Sequence, residues 1–231
     1  NSMKILYINH VGILAGSSKS LYELLTALTD KEVNRFVVTP KGSFSDELKK
    51  QNIPVINTVG IAQFCNTEYA FYRGLRWLVL IRELFLFIFG VYTFLKVRLV
   101  WGKFDIIHLN EITLFPNIFI LKFIFKNSKL VSSVRSIQRK NKNYTSLILD
   151  KIYKYAFQIL IPIDKNVEKS LSNNLRKQII HNSLNSKKVK IKPVKKKHFT
   201  VGMVGLLNKA KGCSVFIETA FLSKKRGYDL K

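Results

Sequence analysis

The chain has 231 residues, 47% hydrophobic and 12% aromatic, which is ample for a buried core and argues against global disorder. Its 39 Lys and Arg against 14 Asp and Glu give a formal charge of +25, pointing to phosphate-bearing ligands, acidic lipid headgroups or nucleic acid. Cys65 and Cys213 are isolated, with no CxxC pair or His/Cys cluster; this argues against structural zinc or a disulfide framework, and a reducing compartment fits best.

In chain order, Lys4–Asn9 (KILYIN) is a short apolar run ahead of Gly12 and Gly16, and predicts a buried strand. Ser17–Leu28 follows with Leu21, Leu24, Leu25 and Leu28 at helical spacing, Ser17 or Ser18 serving as N-cap. Arg35–Thr39 predicts a strand ended by Pro40 and Gly42, Ser45–Gln51 a short polar helix, and Ile53–Asn57 a third strand. This alternation predicts an α/β domain, a Rossmann-like parallel sheet with helices on both faces. The pattern resumes with strands at Asp105–Leu109, Leu130–Val134, Phe157–Ile163 and Gln178–His181. Residues 184–198 are Lys-rich, carry Pro193 and lack apolar periodicity, which predicts a linker; Phe199–Val204 then opens a new strand.

Residues 69–101 break the alternation. Leu84–Leu95 carries no charge, but Arg82, Glu83 and Lys96 bound it after about a dozen residues, where a membrane-spanning helix needs about twenty. Three readings stay open, the least favoured being a true membrane span, and two lead. One is a long core helix; the other is a helix in the plane of a membrane surface, with Arg73, Arg76, Lys96, Arg98 and Lys103 meeting anionic headgroups.

Chemistry is expected where loops leave the strands, because open parallel sheets bind ligands outside the carboxyl ends of their strands. The first such loop, His10–Ser20, places small residues ahead of a helix, so that a phosphate or sugar can reach backbone N–H groups at Gly16 and Ser17. It has neither a Walker A pattern nor GxGxxG. His10, Asn110, Glu111 and Arg135 all fall at expected strand ends, whereas His108 lies within a strand and reads as a core histidine. No HExxH sequence or nucleophile-elbow spacing occurs, and no catalytic residue or metal ligand is assigned. Thr200–Ala220 reads as strand, turn and helix, with Lys209 and Lys211 in the turn. Lysines there oppose the helix dipole unless an anion offsets them.

These elements resemble, in order, the glycosyltransferase group 1 proteins, family 4 of the retaining GT-B enzymes. KILYIN followed by Ala15–Leu21 is similar to the family's strand, glycine loop and helix opening. Phe104–Asn110 is similar to its "pDivhxh" strand, Ile180–Asn185 to its "vxNGvd" segment, and Val201–Gly212 to the "vGrLxxxKG" opening of its donor domain. The resemblance implies an amino-terminal acceptor domain over residues 3–183 and the truncated start of a nucleotide-sugar-binding domain over residues 199–231. It implies a hexosyltransferase-type enzyme that moves a sugar from a nucleotide-sugar to a cell-envelope polysaccharide, lipopolysaccharide or lipid-linked acceptor. Configuration would be retained, with no metal and no cofactor. By the same token Gly16, Ser17, Lys209 and Lys211 would contact donor phosphates, and His10, Asn110, Glu111 and Arg135 the acceptor.

Three positions depart from the family pattern. Leu206 stands for a phosphate-binding Arg, Arg135 stands for a frequent His, and the Glu-x7-Glu motif would lie beyond Lys231. The 231 residues alone are therefore expected to be inactive, and measured turnover of a nucleotide-sugar would overturn that expectation. The expected location is cytoplasmic, peripheral to the inner membrane face at an anionic surface. The alternative is a truncated, non-catalytic remnant that binds membranes or partner proteins. Nucleic acid is not an expected partner, since the Lys-rich linker lacks interleaved aromatics.

Overall fold

The computed structural model describes residues 2–30, 32–68, 70, 72, 74–139, 144–182, 200–205 and 212–228. The chain divides into two compact units, Asn1–Asn185 and Ser186–Lys231. In the first, six strands form one parallel sheet: β1 (Met3–Ile8), β2 (Val33–Pro40), β3 (Val55–Thr58), β4 (Ile106–Leu109), β5 (Lys129–Val134) and β6 (Ile159–Pro162). Their order is β3-β2-β1-β4-β5-β6 and every pairing is parallel. Because the order reverses between β1 and β4, the chain leaves these two neighbours in opposite directions and opens a crevice at their carboxyl ends.

Alternate residues of each strand face opposite sides, and both sides are covered. Tyr7 and Val37 join Leu21 and Leu25 of α1 (Gly16–Ala27) and Phe44 and Leu48 of α2 (Ser43–Lys50) in one cluster. Leu6, Ile8 and Val38 turn the other way, toward Phe94 and Val97 of α3 (Val79–Trp101) and Ile118 and Leu121 of α4 (Ile118–Ile124). The same cluster takes in Leu149 and Tyr153 of α5 (Tyr144–Ala156) and Val167 of α6 (Lys165–Ser170). Short 3-10 turns, Gly74–Leu78 and Ile112–Asn117, precede α3 and α4.

Two glycines fix the loop after β1 against the loop after β2. A Cβ on Gly12 would lie 2.6 Å from the Lys41 carbonyl oxygen, and one on Gly42 would lie 2.5 Å from that of Gly12. The Phe44 N–H donates to the Gly12 carbonyl at 2.9 Å, so α2 is held directly on the first loop.

The element boundaries correct the expectations in four places. The N-cap of α1 is Ala15, not a serine; Ser18 Oγ reaches back to accept from the Ala15 N–H at 3.0 Å. Gln178–His181 is not a strand but an irregular extended segment, with Gln178 and Ile180 N–H groups bonded to Leu160 and Pro162 carbonyls of β6. The described part of Phe199–Val204 likewise has no strand pairing. In 69–101 the helix is nearly twice as long as its uncharged run. Arg82 and Glu83 lie inside α3, where they pair with each other and Glu83 also accepts from the Gln63 N–H at 2.8 Å.

Gly74–Trp101 as a whole is long and apolar enough, by length and composition, to cross a membrane. One face of α3, with Glu83, Gly90, Thr93, Phe94 and Val97, is buried. Ile81, Leu84, Phe85, Ile88, Tyr92, Leu95 and Leu99 form an exposed apolar stripe along the other.

In the second unit the described residues comprise 200–205, without regular structure, and α7 (Cys213–Lys225). Gly212 caps α7 with φ of +72°, a left-handed conformation that costs glycine little and other residues more. The linker 184–198 and Lys209 and Lys211 lie outside the described residues.

Candidate functional site

The crevice between β1 and β4 is built from polar residues that the strands deliver at their carboxyl ends. Asn9 follows β1, Asn110 follows β4 and Arg135 follows β5; Asn9 and Asn110 are fully buried. Asn110 Nδ2 donates to Asn9 Oδ1 at 2.8 Å and to the Ser17 carbonyl at 3.3 Å, tying β1, β4 and the start of α1 together. Arg135 supplies the next layer. Its Nε donates to the Asn110 carbonyl at 2.9 Å, and its two terminal nitrogens to Asn110 Oδ1 at 2.8 Å and Asn182 Oδ1 at 2.9 Å. Ser20 Oγ donates to the same Asn182 oxygen at 2.7 Å, so residues 162 positions apart meet. The fork geometry of Arg135 thus holds three loops at once.

Glu111 lies beside this network. Its Oε1 accepts from the Ile112 N–H at 3.1 Å and from the Arg135 N–H at 3.4 Å. Burial pushes its carboxyl up to about 7 despite those N–H groups and the nearby guanidinium. Such a group can hold or release a proton near neutral pH. His10 is pushed the other way: burial lowers it to about 4, with the Glu83 carboxylate partly opposing. Its Nδ1 is buried with no hydrogen-bond partner among the described residues, a buried polar atom whose need for a partner is unmet. The first-turn N–H groups at Gly16 and Ser17 have no carbonyl four residues back within the helix, and a Cβ on Gly16 would meet nothing within 4 Å. An anion or hydroxyl can therefore approach that backbone unobstructed.

His10, Gly16, Ser17, Asn110, Glu111 and Arg135 therefore share one edge of one sheet. His108 instead packs in the interior, with Nε2 2.8 Å from Ser133 Oγ and its pKa lowered to about 4 by burial and, secondarily, by Arg135. Asn9, Glu83 and Asn182 were not assigned to the site from sequence. Glu83, a carboxylate inside an apolar helix, was the readable signal among them. The group clusters (three or more His, Cys, Asp or Glu) that could hold a metal are absent among the described residues.

The buried groups set a pH dependence whose signs oppose. His10 and His108 are depressed from 6.5 to about 4, so their contribution to stability is present above 6.5 and lost as pH falls through about 4. Glu111 is raised from 4.5 to about 7, so its contribution is present below 4.5 and lost as pH rises through about 7. Between those limits the unfolded chain binds two more protons at the histidines and one fewer at Glu111. These three groups together make stability rise by about 1 kcal/mol per pH unit. Glu111→Gln removes the opposing proton, and the rise is expected to roughly double in urea titrations between about pH 5 and 6. An unchanged slope would contradict a protonated Glu111.

No protein-family model matches the chain, and no curated protein matches it significantly. Among solved structures, Anabaena Alr3699/HepE in complex with UDP superposes with a TM-score of 0.65 at 16% identity, over 94% of this chain and 57% of that one. The same protein in complex with UDP-glucose gives 0.63 at 17% identity over the same shares, 94% and 57%. A glycosyltransferase from Rickettsia africae gives 0.64 at 14% identity, over 99% of this chain and 59% of that one. The chain spans less than two-thirds of the length of each. At these identities the likeness is one of fold: the chain has the Rossmann-like α/β architecture found in a glycosyltransferase and in a UDP-glucose-binding protein.

Proposed function

We propose that the chain is part of a glycosyltransferase that moves a hexose from a nucleotide-sugar to a cell-envelope polysaccharide, lipopolysaccharide or lipid-linked acceptor, with retention of configuration and without a metal. The observation that carries this reading is the convergence of the open α1 start, the unpartnered His10 and the Asn110–Glu111–Arg135 cluster at the switch point of the sheet. It sits on a fold shared with a protein solved in complex with UDP-glucose. On this reading His10 and Glu111 face the acceptor while Asn110, fully buried, and Arg135 hold that edge in place behind them; Gly16 and Ser17 approach the donor diphosphate, and Lys209 and Lys211 belong to the donor side. Arg135 acts through Asn110 and Asn182 as a positioning residue, because all three of its guanidinium nitrogens are already engaged.

The protein would work at the cytoplasmic face of the inner membrane. The exposed apolar stripe of α3, flanked by Arg76, Arg82 and Lys96, supports a peripheral position on an anionic surface.

Saturation-transfer NMR on the chain with UDP-glucose, GDP-mannose and a lipopolysaccharide-core oligosaccharide tests the sugar reading. Transfer to at least one of them is expected, with loss of the signal in His10→Gln, a change at a side chain whose Nδ1 has no partner to lose. Vesicle binding without transfer to any of the three would instead favour a non-catalytic membrane-binding protein.

A further inference from the structure

At the opposite, amino-terminal edge of the sheet, β5 and β6 border a second cavity of about 590 Å³. Lys122 and Lys126 from α4 and the turn after it, Lys129 at the start of β5, Lys154 of α5, and Arg176 line it, and no Asp or Glu does. Lys129 opens β5 and Arg135 follows directly on its last residue, Val134, so this cavity lies about 20 Å from the crevice. We infer that it binds a phosphate-bearing anion, at a site separate from the sugar-handling crevice.

Cations that serve the fold elsewhere in this unit have acceptors. Lys4 Nζ donates to the Trp101 carbonyl at 2.5 Å, and Arg35 to the Leu25 carbonyl. In the cavity only Lys122 is placed that way, with Nζ 2.8 Å from the Tyr155 carbonyl and 3.9 Å from the centre of the Tyr155 ring. Among the described residues Lys129, Lys154 and Arg176 have no side-chain hydrogen bond or ion pair. Like charges brought together in a concavity repel, and the concave wall focuses their field outward. A multiply charged anion offsets that repulsion, whereas a single carboxylate balances one charge of the five. Phosphomonoesters and diphosphates supply the needed charge and several acceptor oxygens.

Two sources share that chemistry: a soluble phosphate compound and a phospholipid headgroup. Phe123, 76% exposed on the same helix as Lys122, would lie beside the headgroup in the second case. Titration calorimetry with inorganic pyrophosphate and co-sedimentation with phosphatidylcholine vesicles containing phosphatidylglycerol separate them. The test variant is Lys129→Gln/Lys154→Gln/Arg176→Gln. A charge-matched control, Lys49→Gln/Lys50→Gln/Lys165→Gln, alters exposed residues elsewhere, and circular dichroism confirms that both fold.

Pyrophosphate binding weakened at least ~10-fold in the cavity variant but not in the control identifies a soluble ligand. An equal loss confined to anionic vesicles identifies a headgroup. The inference fails if wild type binds neither probe, if the cavity variant binds both as wild type does, or if the control loses as much. None of these outcomes bears on sugar binding, which His10→Gln reports at the other edge.

Discussion

Arg135→Ala is expected to lower the free energy of unfolding by about 3 kcal/mol, a large effect for a half-buried polar residue. The reason is what remains behind. Asn110 is fully buried, and its side-chain oxygen and its carbonyl both receive their hydrogen bonds from the Arg135 guanidinium. Truncation leaves both without that donor in a low-dielectric site, where each unsatisfied acceptor costs about 1–3 kcal/mol. Asn182 loses the same tether and keeps the hydrogen bond from Ser20. Arg135→Lys keeps the charge but not the fork, since one ammonium cannot span the Asn110 oxygens and Asn182 together. It should recover less than half of the loss. Urea denaturation reads both variants as shifts of the midpoint at unchanged slope. Should Arg135→Ala fall within about 0.5 kcal/mol of wild type, the strut role assigned to Arg135 is wrong.

That role also shows what sequence could and could not supply. The strands were legible because a parallel sheet covered on both faces demands short apolar runs, and KILYIN and DIIHL are such runs. Strand ends follow from strands, so Asn110, Glu111 and Arg135 were readable as one edge. What they do there was not readable. The pattern presents Arg135 as a free cation for an acceptor, whereas hydrogen bonds to Asn110 and Asn182 occupy it, and contacts across 25 and 47 residues leave no local trace.

The misread elements have physical causes of the same kind. Gln178–His181 has the composition of a strand, but it pairs irregularly along the edge of β6. At α1 the serine pattern marked the helix start, yet the serine acts from inside the helix, three residues after the cap. In α3 the charged pair Arg82–Glu83 looked like a helix boundary. Buried against the loop after β3, Glu83 instead finds the Gln63 N–H and Arg82, so the helix runs through it. Extension of α3 through that pair also carries a carboxylate close enough to raise the His10 pKa against the effect of burial. A helix whose outer face is apolar therefore reaches, by its inner face, the crevice where sugar is proposed to bind.

The outer face of α3 leads to the second large effect. Phe85→Ser/Ile88→Ser/Tyr92→Ser is expected to weaken binding to anionic vesicles by about 100-fold. The three side chains are more than half exposed and lie on one side of the helix, at spacings of three and four residues. Placing each in the acyl boundary contributes about 1 kcal/mol at ~25 cal/mol per Å² of apolar surface, so together they account for about 3 kcal/mol. The substitutions leave Phe94 and Val97, the buried anchors of α3, in place, and the loss of helix propensity is only tenths of a kcal/mol per residue. Thermal unfolding should therefore change little while vesicle binding collapses. Arg76→Gln/Lys96→Gln separates the electrostatic part, because it should reduce binding to anionic vesicles and its salt dependence while leaving binding to neutral ones unchanged, with the Arg82–Glu83 pair intact. Co-sedimentation against lipid concentration, at low and at physiological salt, measures both variants. If wild type fails to sediment with either kind of vesicle, α3 is not a membrane face, and its apolar stripe must be covered by protein.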